Sequence, residues 1–195
     1  MAVLSARFRA TLARIVCHGL LAMLVLGMGL RAAEPSPAVS AEYQVKAVFL
    51  FRFAQFAEWP ATAFEKRDSP VVIGILGEDP FGAYLEELVR DEKIGVRSLI
   101  IRRCNDLAES KGCHLLFISR SETPEVDALI ESLKTQSILT VSDIEGFARS
   151  GGMVQFAMEN GKVRLRINLA EAKSAGLTIS SKILRPATMV TTGKN

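Results

Sequence analysis

The run PVVIGILG, from Pro70 to Gly77, leaves no polar face: its apolar residues fall at odd and even positions alike. Successive strand side chains point to opposite faces, so such a strand needs cover on both sides, which means a sheet with helices above and below it. Val96 to Ile101, Leu115 to Ser119 and Ile138 to Val141 read as second, third and fourth strands of the same kind. Helical segments alternate with them. Asp79 suits an N-cap and Pro80 a first helical position, with Leu85, Leu88 and Val89 facing inward as far as about Lys93. Glu122 to Lys134 places Val126, Leu129, Ile130 and Leu133 on one helical face. The alternation predicts an α/β fold with a mixed, largely parallel central sheet flanked by helices.

Upstream, EYQVKAVFLFRFAQFAEWP has no breaker before Pro60 and predicts a helix from Glu42 to near Trp59. Val45, Phe49, Phe53 and Phe56 form one apolar stripe, and Ala47, Leu50, Ala54 and Ala57 a second, which implies burial on most sides. Lys46 and Arg52 interrupt these stripes. A buried cation needs a carboxylate partner; otherwise its long stem carries the charge out to solvent. Downstream, Met153 to Met158 and Val163 to Ile167 flank Asn160-Gly161, a strong signal for an antiparallel hairpin near the C-terminus. Arg164 and Arg166 then face away from the core. A short helix from about Leu169 to Ala175 ends at Gly176, and Ile179 to Met189 reads as either a strand or a helix interrupted by Pro186.

The 195 residues carry 24 basic and 21 acidic side chains, a formal charge of +3. Arg7, Arg9, Arg14 and Arg31 lie in the first 33 residues, which contain no acid, so the remainder is near neutral at −1. A chain of this kind has no basic field for nucleic acid. Three arginines ahead of the apolar stretch Ile15 to Leu30, followed by Ala32 and Ala33, have the layout of a secretory signal. Residues 1–33 are therefore expected to be a signal peptide, with cleavage after Ala33 or as late as Ser40, and 42–190 a single exported domain without a membrane span. The alternative is an uncleaved anchor. Export to an oxidising compartment would let Cys104 and Cys113 pair. A bridge needs Cα atoms within about 7 Å. A tight turn between the cysteines would allow this, whereas nine residues of straight helix would hold them about 13 Å apart.

Chemistry is sparse. Gly74, Gly77 and Gly82 sit between a strand and a helix but match no phosphate-loop pattern, and Glu78 and Asp79 would repel an anion there. Beyond the leader His114 is the only histidine, at a strand edge, where it reads as structural rather than as a catalytic base. No carboxylate pair, metal-ligand set or nucleophile elbow is evident, so no catalytic residue, metal or cofactor is assigned. If the strands are parallel, Ser119, Arg120, Ser142 and Asp143 gather on one rim, where open α/β sheets hold ligands, a small anionic or zwitterionic molecule being the expected class; the alternative is that Ser and Asp there cap the following helices.

Seven stretches, VKAVFLFRFAQFAEWP from Val45, VVIGILGEDPFG from Val71, CHLLFIS from Cys113, ILTVSD from Ile138, GFARSGGMVQF from Gly146, GKVRLRINL from Gly161 and ISSKIL from Ile179, together resemble the YfiR-like family of exported bacterial proteins. The resemblance implies an α/β sandwich able to dimerise. It also implies a periplasmic repressor that binds the sensor domain of an inner-membrane diguanylate cyclase, lowering cyclic di-GMP and biofilm formation under redox control by disulfides. Cys113 matches a common family cysteine; Gly146 to Phe156 lacks the cysteine pair that such control would use there. The leading expectation is a non-catalytic regulator acting by sequestration, with Phe147, Met153 and Met158 as candidate partner contacts or, equally, core residues. The alternative is a periplasmic small-molecule binder feeding a sensor kinase.

Overall fold

The computed structural model describes residues 39–193; the expected signal peptide lies outside them. Helix α1 (Ala41–Phe56) begins at Ser40, whose hydroxyl accepts from the Tyr43 N–H. It ends three residues before the expected Trp59. There the chain turns extended as β1 (Ala57–Glu58), which pairs antiparallel with β9 (Thr178–Ile179). The faces also sort differently from the two-stripe expectation. Ala47, Leu50, Phe53 and Ala54 are buried, whereas Val45 and Val48 are exposed.

Strand β2 (Val71–Leu76) is buried along its whole length and sits between β4 (Arg97–Cys104) and β5 (Leu115–Ile118), parallel to both. Between them, α2 (Ala83–Val89) is shorter than its sequence suggests. Asp79 does not cap it directly: the Asp79 carboxylate accepts from the N–H groups of Phe81 and Gly82, and Gly82 takes the N-cap position. The helix stops at Val89 because Asp91 turns left-handed, φ 62°, and β3 (Lys93–Ile94) folds back antiparallel on β4. After β5 a 3-10 turn over Arg120–Glu125 leads into α3 (Val126–Leu133), and β6 (Leu139–Ser142) lies parallel to β5.

Strand β7 (Val154–Glu159) joins β6 in parallel, then the predicted hairpin reverses the chain into β8 (Lys162–Ile167). Asn160 and Gly161 both adopt positive φ, 51° and 71°, as a tight hairpin turn requires. Helix α4 (Leu169–Ser174) closes at Gly176, φ 76°. The ambiguous segment that follows divides into β9, α5 (Ser181–Leu184) and β10 (Thr188–Met189). The finished sheet has eight strands in the order β10-β8-β7-β6-β5-β2-β4-β3. No helix among the described residues is long and apolar enough to cross a membrane.

Two cores result, one on each face. Val71, Ile73 and Ile75 pack with α1, α2, α4 and α5, while Val72 and Leu76 pack with α3, Cys104, Cys113 and Phe147. Alternate residues of one continuous apolar strand thus feed separate cores, the double cover that PVVIGILG demanded. Gly74 faces the second core, where a Cβ atom would come within 2.7 Å of the Cys113 sulfur and 2.8 Å of Leu116 Cδ1. The absent side chain is what lets the cysteine lie across the central strand.

Candidate functional site

Strands β5 and β6 end in register, Ile118 opposite Ser142, so the residues that follow them emerge on one rim. Arg120 and Asp143 are brought together there. Helix α1 lies over the same rim and contributes Glu42, Tyr43 and Lys46, with Glu42 and Lys46 one helical turn apart. The Lys46 ammonium is fully buried and donates to Asp143 Oδ2 at 2.6 Å and to Glu42 Oε1. The Tyr43 hydroxyl donates to the same Asp143 oxygen at 3.0 Å, and Arg120 Nε approaches it at 3.2 Å. Two hydrogen bonds and one further cation therefore converge on Oδ2, while Oδ1, also buried, has no hydrogen-bond partner among the described residues.

Lys46 meets the condition set by its sequence context: a cation inside an apolar helix has found its carboxylate. Arg52 takes the other route and remains exposed. Burial, then the charge and hydrogen bond of Asp143, push the Tyr43 phenol up to about 12. The Lys46 ammonium also stands 4.2 Å from the centre of the Tyr43 ring, close enough for cation–π attraction.

The remaining expected rim residues serve the fold. Ser142 is fully buried; its hydroxyl donates to the Ile118 carbonyl at 2.7 Å and accepts from the Ile144 N–H at 3.1 Å. Ser119 is buried at the start of the 3-10 turn. Two expected partner contacts are corrected. Phe147 is 1% exposed, because its ring lies against Gly152 in space that any side chain there would occupy, and Met153, 3% exposed, points into the α1 core. Met158 alone of the three reaches the surface, at 44% exposure.

His114 is locked in place. Its Nδ1 accepts from the Val72 N–H at 3.1 Å, which leaves the Nε2 proton directed to the Ala63 carbonyl at 3.2 Å, and the ring stacks on Phe64. Burial lowers its pKa, holding the imidazole neutral. Both ring nitrogens bond to backbone, so the imidazole has no hydrogen bond to a nucleophile. Above β2 the loop is filled rather than open, since Ser121 sits against Gly77 and accepts from the Glu78 N–H. Among the described residues no group of three or more His, Cys, Asp or Glu side chains could hold a metal ion.

Cys104 and Cys113 are free, buried thiols. The segment between them is a turn with one 3-10 element, Ala108–Ser110, not a crossover helix. Both lie in the core cluster on the Gly74 face; burial pushes Cys113 up to about 12 and raises Cys104 as well.

Two outcomes follow from the rim cluster. Lys46→Met strands the Asp143 carboxylate and should cost about 3–5 kcal/mol in urea unfolding, whereas Lys46→Met combined with Asp143→Leu should recover most of that loss. A raised Tyr43 pKa means the fold favours the neutral phenol. Its stabilising contribution is complete below the unfolded value of 10.0 and is lost as pH rises towards about 12. Absorbance titration should place Tyr43 ionisation near the upper value, and Tyr43→Phe should reduce the loss of stability across that window.

A search of curated proteins finds no significant match to this sequence. A family model does match, over residues 43–188, taking in all of the sheet but Met189 and all but the first two residues of α1. The chain belongs to the YfiR/HmsC-like family.

Proposed function

We propose that this protein is a periplasmic, non-catalytic regulator that sequesters the sensor domain of an inner-membrane signalling protein, a diguanylate cyclase, and so lowers cyclic di-GMP output. The observation that carries this reading is the family match across 43–188. The acid-free, arginine-led apolar leader supports export. The one histidine of the described domain, tied to backbone at both ring nitrogens, supports a role without bond chemistry.

Sequestration acts by binding one state of the partner more tightly than the other. The surface best suited to it is the outer side of α1 with the end of β7. Val45 and Val48 are 45% and 38% exposed, and Met158 lies on the strand whose Phe156 contacts Phe49 of the same helix. Affinity capture with the mature protein should recover a membrane diguanylate cyclase, and deletion of the gene should raise cyclic di-GMP. Recovery should fall at least tenfold with Val45→Glu and Val48→Glu together. Capture of no cyclase, with the nucleotide level unchanged on deletion, would overturn the reading.

We also propose that Cys104 and Cys113 form a disulfide after export. Each thiol gives up a proton, and the pair passes two electrons to a disulfide oxidant of the compartment. Their raised pKa values make the folded, reduced pair a poor nucleophile, so closure belongs before or during folding. Protein purified from the periplasm should have an intact mass two hydrogens lighter than after reduction. Two freely alkylated thiols in that material would exclude the bridge.

A further inference from the structure

The cavity beside the rim cluster combines features that the fold itself does not use. Arg120, Asp143, Ile144, Glu145, Phe156 and Met158 contribute to a space of about 350 Å³ at the ends of β5, β6 and β7, within the range of small-molecule sites. The Asp143 side chain is fully buried, yet its two oxygens are unequally employed: Oδ2 accepts from Lys46 and Tyr43 and forms an ion pair with Arg120, and Oδ1 accepts from no described residue. Buried acceptors are rarely left this way in folded proteins. Arg120 is engaged through Nε, and its Nη2 comes no closer than 3.9 Å to Glu42, so the outer nitrogens of this half-exposed guanidinium remain able to donate.

Charge narrows what can enter. Around the cavity Arg120 is cationic and Asp143 and Glu145 anionic; behind them Lys46 is paired with Asp143 and Glu42, and Arg166 with Glu145 at 2.8 Å. A simple anion would satisfy Arg120 but bring no donor to Asp143 and would face two carboxylates. A simple cation would meet Arg120 at close range. Ile144, Phe156 and Met158 offer a polyol no hydrogen bonds. What fits every wall is a zwitterion with an apolar tail. We propose that this cavity binds a free α-amino acid with an apolar side chain, its ammonium donating to Asp143 Oδ1, its carboxylate accepting from Arg120, and its side chain packing on Phe156 and Met158. The site shares Met158 with the surface proposed to meet the partner but not Arg120, Val45 or Val48, so Arg120→Gln and the Val45→Glu, Val48→Glu pair separate the two readings.

The test is calorimetric titration and thermal shift of the purified exported protein with L-leucine and L-methionine. The controls are isoamylamine and 4-methylvalerate, which keep the leucine tail but lack the carboxylate or the ammonium. The amino acids should raise Tm in a concentration-dependent way, and each control should bind at least tenfold more weakly. Asp143 variants lose the partner of Lys46 and will be hard to fold, so Arg120→Gln and Met158→Asp provide the structural check. Both lie at the cavity's exposed edge, and each should weaken binding at least tenfold while the protein remains folded. Three results would each overturn the proposal: no binding of either amino acid at millimolar concentration, equal binding of 4-methylvalerate, or unchanged binding by Arg120→Gln.

Discussion

An ammonium group cannot be left alone in a protein interior, and helix α1 carries one at Lys46. Its 2.6 Å contact with Asp143 joins the first helix of the domain to the loop after β6, across 97 positions of sequence. Once that contact is made, the rotation of α1 about its axis is set. Ala47, Leu50, Phe53 and Ala54 turn to the sheet, and Val45 and Val48 turn to solvent. Replacing such a pair by apolar residues can leave a protein as stable or more so, so its value here lies in orientation. An all-apolar α1, with two hydrophobic stripes, could pack in more than one rotation.

That ambiguity explains which parts of the structure were legible in the sequence. The strands were readable because a β-branched run without a polar face has few alternatives, and the hairpin because Asn160-Gly161 suits a turn with two positive φ angles. The faces of α1 were not, since both stripes are apolar and only the buried charge separates them. Lys46 announced that it needed a carboxylate; nothing local said which, because its partner lies 97 positions away in the sequence.

The misjudged residues share a cause. Phe147 stands in a loop between Gly146 and Ala148, and sequence alone leaves its exposure open. Its burial depends on Gly152, five residues on, leaving room for the ring. Ser142 resembles a ligand-binding serine at a strand end, but its hydroxyl is spent on two backbone groups. The ends of α1 and α2 moved for a similar reason. The pairings of β1 with β9 and of β3 with β4 draw the chain into extended form where local preference alone would have continued the helix.

The pairing of Ala57–Glu58 with Thr178–Ile179 places neighbours about 120 positions apart at the end of α1. On a ribosome that helix is made about 120 residues before the short strand that closes its exit. Until then Phe53 and Leu50 have no complete bed to lie in, and the nascent polypeptide presents an oily stretch that holdase chaperones could shelter. Contacts of such long reach slow folding. If the domain is exported as proposed, that delay is useful, because a chain threaded through a translocon must stay unfolded.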